Sequence, residues 1–188
     1  MDRRQRKTRE AIFSAFTDLL SEKNLKQITV SDIIDKADIG RATFYAHFET
    51  KDFLLKELCE ELFCHIFDSS SESDCEHKHI FNCSAPDSVF KHLFEHLYKN
   101  DHQILELLCS ENNELFLRYF KSNLLVLVES QLNTFNSQKF SILPRDFYIN
   151  HVAATFVETA RWWIENNMEQ SPQEITDLFL TVVFFSAQ

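Results

Sequence analysis

Apolar residues recur every three or four positions along most of this 188-residue chain, and that interval is the repeat of one face of an α-helix. Between residues 4 and 22 they predict a first amphipathic helix. The same spacing predicts six further helices, over residues 51–68, 87–100, 103–109, 113–136, 145–167 and 172–183. With one Gly and three Pro, the chain has too few turn residues for an ordinary sheet. The pattern therefore predicts an all-α protein.

Two shorter helices are predicted in the gap after the first one. Thr29 and Asp32 have the spacing of a capping box, in which each side chain accepts a hydrogen bond from the other residue's backbone N–H. A helix should therefore begin after Thr29 and end near Ala37. Asp38 tolerates the left-handed conformation of a tight turn, and Gly40 is an acceptable N-cap for a second helix. Together these elements predict a helix-turn-helix.

The second short helix has two different faces. Phe44 and Phe48 are four residues apart, so they share one face and are expected to pack on Ile33 and Ile34. The remaining positions carry small residues and hydrogen-bond donors, namely Arg41, Ala42, Thr43, Tyr45, Ala46 and His47. Such a face suits a recognition helix in the major groove of DNA. The alternative is a structural helical hairpin whose polar face meets only water.

Charge is divided unevenly along the chain. The net charge is −10, but residues 1–56 hold 11 Lys or Arg against 9 Asp or Glu, whereas residues 57–188 hold 8 against 20. The first nine residues are basic through Arg3, Arg4, Arg6, Lys7 and Arg9. A basic arm beside a helix-turn-helix favours binding to phosphate, although a charged terminus that only contacts solvent has the same composition.

The stretch TVSDIIDKADIGRATFYAHFETK, from Thr29 to Lys51, closely resembles the DNA-binding core of TetR-type transcriptional regulators. The resemblance covers about residues 8–55, and its most specific part is TFYAHF followed by Lys51. The sequence departs from the family pattern at Asp38, where Gly is usual, and at Gly40, where Ser or another capping residue is common. A strained turn and a looser helix start are the expected costs.

The resemblance implies a particular architecture and particular partners. It implies an N-terminal three-helix helix-turn-helix domain at residues 1–56 and a C-terminal helical ligand-binding and dimerisation domain at residues 57–188. The run FVETARWWIENNMEQSPQEI also resembles the C-terminal domain of one TetR-type subgroup. In this family the last two helices of each subunit form a four-helix dimer interface. The implied function is a homodimeric, ligand-responsive repressor that binds double-stranded operator DNA.

DNA contacts are expected to divide into two kinds. Arg41 and Thr43 should face base edges, where Arg can donate two bonds to guanine and the Thr methyl can pack on thymine. Ala42 lets the helix approach the groove closely. The resemblance assigns contacts that are mainly to phosphate to Lys51, Tyr45 and His47, with a further hydroxyl or backbone contact from Thr29.

The C-terminal part is rich in phenylalanine and lacks catalytic motifs. Fourteen of the 19 Phe follow residue 57, which suits a pocket for a small apolar or aromatic effector, although core packing is the commoner role of Phe at helical spacing. No phosphate-binding loop, nucleophile elbow or HExxH motif is present, so we expect no catalytic residues and no cofactor. Two alternatives stay open: a DNA-binding regulator controlled by a partner protein, and a small helical enzyme that uses scattered histidines.

Two groups of residues are candidate metal ligands. His92 and His96 are four apart on one helix face but have no recognisable third ligand, and exposed or half-buried histidines account for them equally well. The other group lies in a polar, Ser-rich stretch typical of a loop, residues 69–86, and comprises Cys75, His77, His79 and Cys83. Its spacing is not that of a zinc finger, so we expect no metal site.

Cysteine usage and hydropathy bear on the compartment. Five cysteines at irregular spacing favour free thiols in a reducing environment over a disulfide framework. The sequence shows no basic start followed by an apolar run, and no stretch approaches the roughly 18 apolar residues of a membrane span. We therefore expect a cytoplasmic protein without membrane contact.

Overall fold

The computed structural model describes residues 3–68, 88–99, 108, 114–131 and 143–184. Within these ranges the chain forms helices and no strand, which confirms the all-α prediction. The helices are α1 (Arg3–Glu22), α2 (Val30–Ala37), α3 (Arg41–His47), α4 (Lys51–Asp68), α5 (Val89–Lys99), α6 (Glu114–Gln131), α7 (Arg145–Glu165) and α8 (Pro172–Phe184). Among the described helices, none is both long and apolar enough to cross a membrane. The predicted helix at 103–109, apart from Leu108, and the predicted loop at 69–86 lie outside the described residues.

Local capping chemistry determines where three helices begin. At α2 the Thr29 hydroxyl accepts a hydrogen bond from the Asp32 N–H at 3.1 Å, and Asp32 Oδ2 accepts one from the Thr29 N–H at 2.7 Å. A second capping box precedes α8, where Glu174 Oε2 accepts a hydrogen bond from the Ser171 N–H at 2.8 Å. The Thr50 hydroxyl accepts a bond from the N–H of the third residue of α4 at 3.0 Å. All three predicted starts are confirmed.

The turn between α2 and α3 adopts the predicted conformation. Asp38 has φ 52° and ψ 51°, in the left-handed region, and its N–H bonds back to carbonyls of α2. Gly40 has φ −77° and ψ 151°, which any L-residue can adopt. The chain therefore places a non-glycine residue where the backbone favours glycine, and its single glycine where no glycine is needed.

Helices α1, α2 and α3 form an N-terminal three-helix unit around buried aromatic rings. The Phe48 ring meets Phe13 of α1 edge-on with the centroids 5.3 Å apart, and it lies 6.0 Å from Phe44. Phe44, Phe48 and Ile33 are completely buried, and Ile34 packs against the same cluster. This confirms the predicted inner face of α3.

The C-terminal helices surround a second group of aromatic rings. Helix α4 packs on α5 and α6, α6 packs on α7, and α8 packs on α5 and α7. Neighbouring ring centroids lie 4.5 to 6.5 Å apart within the set formed by Phe90, Phe94, Phe120, Phe156, Trp163 and Phe179. These spacings are those of packed aromatic pairs, so the six rings form core.

A pair of histidines lies within this core. His92 and His96 are only 1% and 3% exposed, and their Nε2 atoms are 3.1 Å apart. The expectation that they are exposed or half-buried is therefore wrong. Helix α5 packs on both α4 and α8, so the two histidines lie on a helix that is buried on more than one side. One Nε2 carries the hydrogen and the other accepts it. Within the described ranges, no three potential ligands are grouped so as to hold a metal ion.

Candidate nucleic-acid interface

Helix α3 presents one face to solvent. Because Phe44 and Phe48 anchor its inner side, the outward positions are fixed by the 3.6-residue repeat. The exposed side chains, here called the recognition face, are Arg41, Ala42, Thr43, Tyr45 and Ala46. Tyr45 is 49% exposed, and its ring packs edge-on against Phe44 at 5.5 Å. His47 is half-buried. The structure thus brings five of the seven sequence-predicted DNA contacts onto α3.

Lys51 lies at the start of α4 and has an internal role that the sequence did not reveal. Its Nζ donates to the backbone carbonyls of Leu25 and Ile28, at 2.7 and 2.8 Å. Burial lowers the pKa of the Lys51 ammonium, and the Asp52 carboxylate partly opposes that shift. Two of the three ammonium donors therefore hold the α1–α2 turn against α4, and one donor is left to meet a phosphate.

Thr29 is exposed, but its hydroxyl is engaged in the cap of α2. It donates to Asp32 Oδ2 at 2.6 Å and accepts from the Asp32 N–H. The bond from the Thr29 hydroxyl, the bond from the Thr29 N–H to the same carboxylate oxygen at 2.7 Å and the Lys23 ammonium at 3.0 Å hold the pKa of Asp32 well below its usual value of 3.8. Because phosphate oxygens only accept hydrogen bonds, the Thr29 hydroxyl cannot donate to DNA while it donates to Asp32.

The five basic residues at the N-terminus occupy different environments. Arg3, Arg4 and Lys7 are exposed, whereas Arg6 pairs with Glu10 along α1 at 3.5 Å. Arg9 is largely enclosed between α1 and α4. The predicted basic arm is therefore reduced to the residues ahead of Arg9, since that side chain points inward.

A different kind of surface lies between α7 and α8. An open groove of about 550 Å³ runs between these helices and is lined mainly by apolar side chains. Three of its large apolar residues are strongly exposed: Trp162 at 45%, Leu178 at 48% and Val182 at 68%. An exposed apolar surface of this kind is typical of an interaction site.

A helix-turn-helix with a polar, outward-facing second helix, joined to a larger helical part, defines a DNA-binding transcriptional regulator of the helix-turn-helix class. The family described as "Bacterial regulatory proteins, tetR family" matches residues 12–58, and a "Transcriptional regulator C-terminal region" family matches residues 84–184. The chain belongs to the TetR family of transcriptional regulators.

Known relatives support this assignment along the whole chain. A solved TetR transcriptional regulator from Streptococcus agalactiae is 34% identical, with a TM-score of 0.71, and the match covers 97% of this chain and 96% of that one. Two curated relatives match over shorter stretches. YxbF, an HTH-type regulator of Bacillus subtilis, is 43% identical over 79 residues, which are 39% of this chain and 21% of the relative. DhaS of Lactococcus lactis, an activator of the dhaKLM operon, is 37% identical over 65 residues, or 35% of each.

Proposed function

We propose that this TetR-family protein is a homodimeric, ligand-responsive repressor that binds operator DNA through α3. The observation that carries the proposal is the recognition face. Its five exposed residues combine a cation, a phenol and a hydroxyl with two small side chains, on a helix whose inward-facing Phe44 is completely buried. A helix with these properties can enter a major groove without losing its own packing.

Within this interface, Arg41 and Thr43 are proposed to contact base edges, and Ala42 to allow close approach of α3. The proposed phosphate contacts are Lys51, Tyr45 and His47, with Thr29 contributing through its backbone or after release of its hydroxyl from Asp32. Phosphate contacts fix the position of the protein on the duplex, whereas base contacts select the sequence.

The apolar surface around the groove between α7 and α8 is proposed to be the dimer interface, where it would pack on the same surface of a second subunit. TetR-type dimers use their last two helices, and here those helices expose Trp162, Leu178 and Val182. Pairing two such surfaces about a two-fold axis buries apolar area on both copies. We propose that this dimer presents two α3 helices to one face of the DNA, where successive major grooves lie roughly 34–36 Å apart.

The proposed effector is a small apolar or aromatic molecule bound in the C-terminal part. It would act by binding more tightly to a dimer whose α3 helices have a different spacing. Operator affinity would then fall by at most the ratio of the effector's affinities for the two forms of the dimer. A regulator controlled by a partner protein would have the same DNA-binding face, so the two modes differ only in what changes the dimer.

The experiment starts by letting the wild-type protein select a duplex from a random-sequence pool. That duplex is then placed across a promoter for transcription in vitro. A repressor lowers transcript yield in proportion to occupancy, whereas an activator raises it. Binding to all duplexes with equal affinity would contradict sequence-specific regulation. Control by a partner protein would be favoured if a library of small apolar molecules leaves binding to the selected duplex unchanged and a protein from a cell extract weakens that binding.

A further inference from the structure

Arg9 connects α1 to α4 through one nitrogen atom. Its Nη2 donates to Glu57 Oε2 at 2.6 Å and to Glu61 Oε1 at 3.1 Å. The three side chains are 18%, 20% and 27% exposed, so the contact is partly shielded from solvent. Glu57 and Glu61 lie one turn apart on the same face of α4, where like charges repel unless a cation lies between them.

The same guanidinium also contacts the end of the recognition helix. Its central carbon lies 4.9 Å from the ring centroid of Phe13 and 5.2 Å from that of Phe48. Phe48 directly follows α3, and its N–H bonds to the carbonyl of Phe44. Arg9 therefore touches α1, the end of α3 and two turns of α4 at once. A planar guanidinium can stack on rings while its edge donates hydrogen bonds, which a lysine ammonium cannot do in the same way.

We propose that Arg9 is a positioning residue that sets the orientation of α3 relative to α4 and does not contact DNA phosphate. Turning Arg9 towards DNA would leave Glu57 and Glu61 facing each other without a cation. Lys51 supplies a second contact between the N-terminal three-helix unit and α4, because it holds the α1–α2 turn to the first turn of α4. Arg9 holds the next two turns, so α4 and the recognition face move together up to about Glu61.

This proposal rests on DNA binding by α3 and makes a distinctive prediction. Base contacts require a defined pose of α3, whereas binding to phosphate tolerates a changed pose. Loss of Arg9 should therefore reduce preference among sequences and leave the number of neutralised phosphates unchanged. Loss of an exposed arm cation such as Lys7 should leave the preference among sequences unchanged and lower the number of neutralised phosphates by one, because that phosphate contact is made on any DNA sequence.

The test compares Arg9→Gln with Lys7→Gln by fluorescence anisotropy across a salt series, on the duplex selected by the wild type and on a random pool. We expect Arg9→Gln to weaken the selected duplex by about tenfold, the scale of one good base contact, with less than about a twofold change on random DNA. The slope of log affinity against log salt should not change. Lys7→Gln should weaken both duplexes alike and lower the slope by about 0.9.

A double variant, Glu57→Gln with Glu61→Gln, tests the same contact without removing Arg9. If Arg9 is a positioning residue, the double variant should show the same loss of sequence preference as Arg9→Gln. The double variant also tests the proposal if circular dichroism shows that Arg9→Gln does not fold. The proposal is overturned if Arg9→Gln behaves like Lys7→Gln or like the wild type. It is also overturned if the double variant binds both duplexes more tightly with a steeper salt slope. A wild type that selects no duplex would instead refute DNA recognition itself.

Discussion

The recognition face of α3 and the groove between α7 and α8 are both exposed helical surfaces, but their chemistry is opposite. Arg41, Thr43 and Tyr45 offer charge and hydrogen bonds on a short helix, whereas Trp162 and Val182 expose apolar area along two longer ones. A polar surface gains little from meeting an apolar one, so the two faces require different partners. The comparison points to a polyanion for the first and a second apolar surface for the second.

The largest effect is expected at the groove. Val182→Glu would bury an unpaired carboxylate in a dimer interface, which costs several kcal/mol, so the dimer dissociation constant should rise by at least about 100-fold. Sedimentation velocity across a concentration series measures this. Val126→Glu is the matched control, because Val126 is 57% exposed on α6 and lies outside the groove. A wild type that is monomeric at micromolar concentration would contradict the assignment of this surface.

On the recognition face, Arg41→Ala should weaken the selected duplex by about 1–3 kcal/mol and relax the preference at one base position. Binding to random duplexes should change much less. Because Arg41 is exposed, thermal unfolding should stay as in the wild type. Binding assays on duplexes substituted at each position check this, and equal losses on every duplex would argue against a base contact.

Lys51→Ala should differ from Arg41→Ala by affecting stability as well as binding. Removing the ammonium leaves the carbonyls of Leu25 and Ile28 without their donor, so the free energy of unfolding should fall by about 1–3 kcal/mol. If the remaining donor reaches a phosphate, all duplexes should be weakened alike and the salt slope should fall by roughly one unit. Urea unfolding measures the first effect and anisotropy the second. An unchanged unfolding midpoint would refute the internal role.

A small gain in stability is expected at the N-cap of α3. Gly40→Ser should raise the free energy of unfolding by about 0.5 kcal/mol, by capping α3 and restricting the unfolded chain. The backbone permits this change, since Gly40 has φ −77° and an added Cβ would meet only Thr43 Oγ1, at 3.7 Å. Chemical unfolding of the wild type and of Gly40→Ser measures the difference. A loss of stability would show that the glycine is required.

The smallest effect is the stability contributed by Asp32, which changes only in acid solution. The pKa of Asp32 is lowered in the folded protein by the Thr29 hydroxyl and N–H and by Lys23, so the unfolded chain binds the proton more readily. The stability it contributes is therefore present above about pH 3.8 and lost as pH falls through and below that value. Asp32→Asn should reduce this pH dependence. Urea unfolding at several pH values checks it.

Much of the three-helix unit was predictable because its signals are local. Thr29 and Asp32 are three residues apart, so the capping box of α2 forms within one turn, as does the Ser171–Glu174 box ahead of α8, outside this unit. The left-handed Asp38 follows from the need to turn sharply between two short helices. The inner face of α3 follows from the four-residue spacing of Phe44 and Phe48.

The tertiary structure decided what distance along the chain conceals. Arg9 meets Glu57 and Glu61 across 48 and 52 positions, and Lys51 reaches carbonyls 26 and 23 positions earlier. Composition showed these residues only as charges available for DNA. Helix periodicity gives the face on which a residue lies, but the neighbouring helix decides whether that face meets solvent, an opposite charge or a carbonyl. For that reason the sequence determined the fold class and the recognition face, whereas packing decided which cations hold the protein together.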